Sequence, residues 1–323
     1  MAVYTHLSAE SIASIIDEYD VGELVSAKGI AEGVSNSNWL IETTGSDGQG
    51  ARFILTMYER RIAMEDLPFF LDLLDFLAAA GLPVPRTIHR RSGRSWFLLN
   101  GKAVALIEYL PGVSVTIPTP AQAHAVGRAL AQMHRAADTF ALGRNNDLDI
   151  EYSHKTLKDC GPQALASIHP RLPEMIEISA RVAENWDDEL PGSIIHSDLF
   201  PDNVLMLGNR VTGMIDFYFA CFDSMAYDLA VTHAAWSFGS QGRGFRSDVG
   251  RSLLQGYESV RPLEPAERDA LPLLAQGACL RFIASRAQDW IDTPVDAHVT
   301  RKDPMDFVRR LDFYVEAGER AFA

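Results

Sequence analysis

The side chains best suited to chemistry lie in one short segment of the second half of the chain. His196, Asp198 and Asn203 follow one another in the pattern H-x-D-x-x-x-x-N, and Asp216 comes soon afterwards in Ile-Asp-Phe. Phosphoryl transfer uses these residue types, because an Asp orients the attacking hydroxyl while an Asn and a second Asp hold Mg²⁺ beside a nucleoside triphosphate. The pattern predicts a phosphotransferase that uses ATP and Mg²⁺.

Short strands should position these side chains. Residues 193–195 are typical of a buried strand that leads into the segment. Residues 204–207 and 211–215 flank a Gly-Asn pair and predict a hairpin, at whose end Asp216 follows. Because a hairpin returns the chain to its starting point, we expect the candidate polar groups to lie near one end of it.

Composition limits the class of protein. The chain has 323 residues, of which 47% are hydrophobic, and its formal net charge is −14. An acidic surface argues against general nucleic-acid binding, which needs phosphate neutralisation. Cys160, Cys221 and Cys279 are widely spaced and suggest no disulfides, which favours a reducing compartment. Residues 1–20 do not resemble a signal peptide, and no apolar run reaches about 18 residues. We expect a cytoplasmic protein without a membrane span.

The two halves of the chain differ in their predicted elements. Turn-rich, strand-like runs dominate up to the Pro-Gly pair at residues 111–112, and long amphipathic helices dominate afterwards. This order predicts an α+β fold with two lobes, residues 1–110 and 111–323. The predicted strands are 23–29, 37–43, 52–58, 95–99 and 103–110. One predicted helix starts near residue 8, and the others are 67–80, 121–137, 173–188, 224–238, 246–260, 266–289 and 306–322.

Several motifs together identify a family resemblance. The chain resembles the protein-kinase-like small-molecule kinases, the superfamily of aminoglycoside phosphotransferases and choline kinases. Over essentially its whole length it is similar to the bacterial homoserine kinases of this fold. The motifs that carry the resemblance are residues 33–38, 53–59, 81–85, 108–112, 196–203 and 301–304.

The resemblance implies a small, mostly antiparallel β lobe that binds nucleotide and a larger helical lobe that carries catalysis. It implies that Asp198 orients the substrate hydroxyl and that Asn203 and Asp216 bind Mg²⁺. His196, grouped with Asp198 as a catalytic residue, would chiefly support the loop by packing and hydrogen bonding. Asp228 would brace the backbone of that loop, and capping of its own helix is the alternative role.

In the first lobe, the resemblance implies that Gly33, Ser35 and Asn36 belong to a loop over the phosphates of ATP. An ordinary hairpin turn is the alternative reading of these residues. The backbone around Glu108 and Leu110 would hydrogen-bond the adenine, without help from the Glu108 side chain.

The chain departs from many kinases of this fold at one position. Thr56 stands where a strand lysine usually holds the α- and β-phosphates, and the Glu that pairs with such a lysine has no clear counterpart, because Glu65 precedes the next helix. Absence of the lysine together with its Glu partner makes physical sense, since a buried carboxylate without a partner would destabilise the fold. Arg60 and Arg61 are nearby candidates for a replacement, although surface charges of this kind are usually solvated.

The resemblance implies L-homoserine as the acceptor, in threonine biosynthesis. This amino alcohol needs an acid for its ammonium and donors for its carboxylate. Asp223, Arg281, Arg286 and Asp289 are the candidates, and a charged surface helix is the alternative explanation for the last three.

Two other functions remain open from the sequence. The acceptor could be choline, ethanolamine, a sugar or an aminoglycoside, with the same chemistry. The chain could also be a regulatory module that binds a nucleotide without turnover, which Thr56 favours and the intact Asp198, Asn203 and Asp216 oppose. The oligomeric state does not follow from the sequence.

Overall fold

The computed structural model describes residues 7–30, 36–59, 63–293 and 301–323. The chain divides into two compact units, Met1–Pro111 and Gly112–Ala323. The first unit is built on an antiparallel sheet and the second mostly on helices, so the predicted α+β class is confirmed.

The sheet of the first unit has the strand order β1-β2-β3-β6-β4, with β5 also paired to β6, and every described pairing is antiparallel. Two helices accompany it. The two-residue strand β4 was not predicted, and the other strands agree with the sequence pattern to within about two residues. The elements are α1 (Ala9–Ile16), β1 (Leu24–Ile30), β2 (Asn36–Thr43), β3 (Ala51–Tyr58), α2 (Leu67–Ala79), β4 (Thr87–Ile88), β5 (Trp96–Leu99) and β6 (Lys102–Glu108).

Helix α1 covers one face of this sheet. Ser8 caps its first turn by accepting a hydrogen bond from the backbone N–H of Ser11 at 3.1 Å. Its apolar stripe is buried, as the helical spacing predicts. The core that it forms with the sheet contains Ile12, Ile15, Ile16, Trp39, Ile41, Leu55, Met57, Val104 and Leu106.

The second unit contains eight helices and two strand pairs among its described residues. The pair β8–β9 is the predicted hairpin, whereas β7 pairs with β10, a strand that the sequence did not predict. Helices α4 and α5 were also missed, and the six predicted helices are present. The elements are α3 (Pro120–Ala137), α4 (Ile150–Cys160), α5 (Pro162–Ile168), α6 (Glu174–Glu184), β7 (Gly192–Ile195), β8 (Val204–Leu207), β9 (Arg210–Met214), β10 (Cys221–Ser224), α7 (Met225–Trp236), α8 (Ser247–Glu258), α9 (Pro265–Asp292) and α10 (Met305–Ala317).

Helix α9 runs without a break through Pro272, where the sequence suggested a kink or a split. Helix α9 is long enough to cross a bilayer, but it contains many charged residues. Within the described ranges no helix is both long and apolar enough to span a membrane.

Helices α3 and α8 approach each other closely at two glycines. A Cβ atom on Gly127 would lie 2.0 Å from the carbonyl oxygen of Leu253, and one on Gly256 would lie 2.0 Å from that of His124. Only residues without a side chain permit this approach, so the two backbones are in direct contact.

We expect Gly127→Ala to destabilise the protein by about 1–3 kcal/mol, because the new methyl group must push the helices apart. Denaturant unfolding measures this change. The matched control is Gly143→Ala, since a Cβ at that exposed loop position meets nothing within 4 Å. Equal unfolding midpoints for the two variants would contradict the close approach.

Candidate active site

The loop of residues 196–203, which we call the catalytic loop, connects β7 to β8. The side-chain amide of Asn203 donates to the backbone carbonyl of Asp198 at 2.8 Å and to its carboxylate at 3.2 Å. The backbone N–H of Ile215 donates to the carbonyl of Asn203 at 3.0 Å, which places Asp216 beside the loop. The three predicted polar side chains are thus brought together at the open end of the β8–β9 hairpin.

Two residues of this site have left-handed backbone conformations. Ser197 has φ 66° and Asp216 has φ 67°, although neither is a glycine. Such conformations are held only where the surroundings fix them. At Ser197 the carbonyl and the hydroxyl both accept hydrogen bonds from Arg281, the latter at 2.8 Å. This buried guanidinium supports the turn that presents Asp198.

The carboxylate of Asp228, on α7, holds the start of the catalytic loop. It accepts hydrogen bonds from the backbone N–H groups of His196 at 2.7 Å and Ser197 at 2.8 Å. It also contacts the ring of His134 at 3.0 Å, and that ring contacts the hydroxyl of Tyr257 at 2.8 Å. Burial alone would raise the pKa of Asp228, but these hydrogen bonds and the neighbouring histidines hold it below its ordinary value. Asp228 therefore braces the loop and does not cap its own helix.

His196 is fully buried beneath the loop. Its Nε2 contacts the carbonyl of Ile215 at 3.0 Å, and its Nδ1 accepts from the backbone N–H of Asp198 at 3.2 Å. Burial lowers its pKa, so the ring is neutral and Nε2 carries the proton. Both ring nitrogens are thereby engaged within the protein, which supports a positioning role and leaves neither for direct chemistry.

The acidic side chains of the site carry an electrostatic cost. Burial raises the pKa of Asp198 to about 7, with further contributions from Asp216 and Asp202 that oppose the effects of Arg281 and Lys302. Asp216 remains accessible to solvent, but the protein around it, together with Asp202, raises its pKa to about 6. Carboxyl groups of this kind become fully ionised at neutral pH when a cation joins them.

The donor atoms fit a magnesium ion that is shared with phosphates. Within the described ranges, neither the side-chain oxygen of Asn203 nor the carboxylate of Asp216 has a hydrogen-bond partner, and both are hard oxygen ligands. No cluster of three or more His, Cys, Asp or Glu side chains forms a metal cage in the described part of the chain. Mg²⁺ suits such an open set, because it usually takes one or two protein ligands together with phosphate oxygens and water.

The four predicted substrate residues differ in burial and in the contacts that they make within the protein. Asp223 accepts from the side chain of Asn146 at 2.6 Å, and Arg281 is only 2% exposed beneath Ser197. Arg286 donates to the carbonyl of Asp303 at 2.9 Å and also pairs with Asp306. The fourth residue, Asp289, is exposed on α9.

The predicted nucleotide residues lie in the first unit. Gly33 and Ser35 are outside the described residues. Asn36 begins β2 and is buried, and its side-chain oxygen has no hydrogen-bond partner among the described residues. Glu108 ends β6, where its carboxylate accepts a hydrogen bond from the Nε of Arg86 at 3.1 Å. Leu110 follows β6 and is half-buried.

The neighbouring strand β6 does not supply the lysine missing at Thr56. Thr56 is buried on β3, directly opposite Ala105 on β6. Lys102 also lies on β6 but is three residues from Ala105, so its side chain belongs to the opposite face of the sheet, where it pairs with Glu59. Glu65 is exposed before α2, and the candidates at positions 60 and 61 are outside the described residues.

The sequence signal missed three residues of the site. His134 and Tyr257 lie on other helices, and no local motif marks them as partners of Asp228. Lys302 belongs to a motif that the resemblance uses, but nothing in its sequence context assigns it a role.

Comparison with known proteins agrees with this geometry. Residues 26–263 match the phosphotransferase enzyme family. The chain is similar to the homoserine kinase of Azorhizobium caulinodans, with 46% identity over 316 residues that cover 97% of this chain and 96% of that protein.

Two solved structures share the fold. A spectinomycin phosphotransferase in complex with ADP and spectinomycin has a TM-score of 0.73 at 12% identity and covers 98% of this chain and 100% of its own. An amicoumacin kinase in complex with AMP-PNP and Ca²⁺ has a TM-score of 0.70 at 14% identity, and the match covers 97% of this chain and 94% of that kinase. The predicted protein-kinase-like fold is therefore confirmed.

We expect Asp198→Asn to stabilise the metal-free protein more at pH 8 than at pH 5. The folded state raises the pKa of Asp198 to about 7 from an ordinary 3.8, so wild-type stability falls as pH rises through this window. The amide of the variant does not ionise, so the variant keeps the unfolding free energy that the wild type loses, about 2 kcal/mol for a half-buried group. Thermal unfolding in EDTA measures it, with the exposed Asp248→Asn as control. A difference from wild type that is independent of pH would contradict the raised pKa.

Proposed function

The chain belongs to the phosphotransferase enzyme family, and on that premise we propose that it transfers the γ-phosphoryl group of ATP to the hydroxyl of L-homoserine. The product is O-phospho-L-homoserine, in threonine biosynthesis in the cytoplasm. The 46% identity to a homoserine kinase over nearly the whole length supports this acceptor. The observation that carries the chemistry is the hydrogen-bonded pair of Asp198 and Asn203 with Asp216 beside it.

Asp198 orients the acceptor hydroxyl in this proposal and takes its proton as the new O–P bond forms and the bond to the ADP oxygen breaks. Its raised pKa, about 7, suits a proton acceptor that works near neutral pH. Because phosphoryl transfer passes through a loose transition state, the position of the carboxylate matters more than its basicity. The hydrogen bonds that hold the catalytic loop at His196 and Ser197 provide that position.

Asn203 and Asp216 are the proposed ligands of Mg²⁺. Bound by these residues, Mg²⁺ would neutralise the negative charge that develops on the phosphates during transfer. In the first unit, we assign the phosphates to the loop that contains Gly33, Ser35 and Asn36. We assign the adenine to the backbone from Glu108 to Leu110.

The acceptor's charged groups require separate partners. Asp223 is the proposed acid for the ammonium, since it is half-buried and already accepts hydrogen bonds from Asn146 and from Ser224. Arg281 is nearly without solvent exposure, so we assign it to support of the loop and not to the acceptor's carboxylate. Arg286 and Asp289 complete the candidates on α9.

The test is release of ADP from Mg·ATP with L-homoserine, L-serine, choline, ethanolamine and kanamycin as acceptors. Turnover should be specific for L-homoserine, and ³¹P NMR should identify the phosphate ester. We expect Asp198→Asn to lower kcat by roughly 10²–10⁴-fold, whereas the exposed Asp248→Asn leaves it unchanged.

Each other outcome is informative. Efficient turnover of another acceptor would replace our substrate and keep the chemistry. Binding of Mg·ATP without turnover of any acceptor would favour a regulatory module and overturn the proposed activity. Full activity of Asp198→Asn would remove Asp198 from its assigned role.

A further inference from the structure

Arg310, on α10, is a buried cation to which the described part of the chain offers no hydrogen-bond acceptor. The residue is only 9% exposed, and its Nε and Nη1 atoms are sealed from solvent without a hydrogen-bond partner. The other terminal nitrogen, Nη2, is the one that solvent reaches. Asp306, one turn earlier, bonds to Arg286 and Arg309 instead. Burial lowers the pKa of Arg310, and an unpaired buried charge is unfavourable enough to need an explanation.

Two aromatic rings flank this guanidinium. Its Cζ atom lies 4.3 Å from the ring centre of Phe307 and 5.5 Å from that of Phe238. Ring faces attract a cation but do not replace the oxygen acceptors that its N–H groups prefer. Because the rings already hold the side chain in place, a ligand that binds it loses little affinity to ordering. The group is therefore a preorganised donor for an anion with two oxygens.

The first of these rings connects Arg310 to the catalytic loop. The ring centroid of Phe307 lies 6.1 Å from that of Phe200, which is in the loop. Phe282 on α9 contacts both rings, at 4.9 Å from Phe200 and 4.7 Å from Phe307. Phe200 is the second residue after Asp198. The three packed rings thus join the guanidinium to the segment that presents the proposed proton acceptor.

The second ring leads to the same loop from α7. Phe238 comes two residues after Trp236, the last residue of that helix. The indole N–H of Trp236 donates to the carbonyl of Leu199 at 2.9 Å, and Leu199 directly follows Asp198. Two separate sets of contacts, both within the second unit, therefore place Arg310 beside the catalytic loop.

Arg310 differs from the two arginines that were predicted at the acceptor site. Arg281 donates to the hydroxyl of Ser197 at 2.8 Å, and Arg286 donates to the carbonyl of Asp303 at 2.9 Å. Both of these guanidinium groups already have acceptors in the protein, whereas that of Arg310 has none within the described ranges. A ligand carboxylate gains most from the unpaired group, because no existing hydrogen bond has to break.

We propose that the guanidinium of Arg310 binds the carboxylate of an amino-acid acceptor and thereby selects acceptors that carry one. The inference rests on the proposed phosphorylation of L-homoserine. A carboxylate matches the planar guanidinium through two parallel hydrogen bonds and compensates its buried charge. An amino alcohol without a carboxylate leaves Arg310 unpaired, and a site with an unpaired buried polar group discriminates strongly against such an analogue.

The test compares L-homoserine with 3-amino-1-propanol, which is the same amino alcohol without its carboxylate. In Arg310→Met, the KM for L-homoserine should rise by roughly 10²-fold, the scale of losing a hydrogen bond between charged groups, while kcat changes less. The kcat/KM for 3-amino-1-propanol should change by less than about threefold, since this acceptor makes no such bond. Thermal unfolding gives a readout without turnover: L-homoserine should raise the Tm of the wild type more than that of the variant.

Two further variants make the result specific. Arg320→Met removes an exposed arginine beyond α10 and should match wild type in every measurement. Arg310→Lys keeps the positive charge but not the planar fork, so it should recover only part of the affinity for L-homoserine. Arg310→Met is expected to fold, because methionine packs well against aromatic rings and leaves no unpaired charge. If it does not fold, Arg310→Lys provides the same comparison.

An unchanged KM for L-homoserine in Arg310→Met would overturn the proposal. An equal loss of kcat/KM with L-homoserine and with 3-amino-1-propanol would also overturn it, because the guanidinium would then support the catalytic loop and not the carboxylate. The wild type alone tests the proposed function. Absence of L-homoserine turnover by the wild type would remove both claims, whereas wild-type turnover that the Arg310 variants retain unchanged would remove only the assignment of Arg310.

Discussion

The buried carboxylate of Asp228 is the interaction on which the site depends. It lies within α7, where every residue from Ala226 to Trp236 is buried. It accepts hydrogen bonds from the backbone N–H groups of His196 and Ser197. A buried charge is tolerated only when it is fully hydrogen-bonded, and here the bonds that satisfy it also fix the loop. The left-handed turn at Ser197 follows from this anchor. The helical core thereby determines where Asp198 is held.

The same arrangement concentrates negative charge. Burial of Asp198 and the protein around Asp216 raise the pKa values of these two groups, and Asp202 adds to both shifts, so the unliganded site is electrostatically unfavourable. Such strain is typical of sites that bind cations, because the ligand relieves it and functional sites lie away from the stability optimum. Within the second unit, the buried Arg281 and the exposed Lys302 both lower the pKa of Asp198 and so partly offset this charge. The buried arginine also supports the catalytic loop through its hydrogen bond to Ser197.

Local patterns predicted the parts of the structure that local forces decide. The β8–β9 hairpin, the positions of Asp198, Asn203 and Asp216, and the cap of α1 all follow from turn residues and spacing. Partners that are distant in the chain could not be predicted this way: His134 is 94 residues from Asp228, and Arg281 is 84 residues from Ser197. A helical pattern gives the residues that share a face of α9 but not what each face contacts, so the burial of Arg281 beneath Ser197 could not be predicted. The strand β10 was missed for the same reason, because it pairs with β7, which is distant in the chain.

The most direct measurement is the steady-state kinetics of Asp228→Asn, on protein shown by circular dichroism to be folded. An amide cannot accept all the hydrogen bonds that the carboxylate accepts, so the loop loses part of its anchor. We predict that kcat falls by about 10²-fold or more, because misplacement of a catalytic group by about 1 Å is enough, while the affinity for Mg·ADP changes little. A folded variant with the kcat of the wild type would contradict the claim that Asp228 positions the catalytic loop.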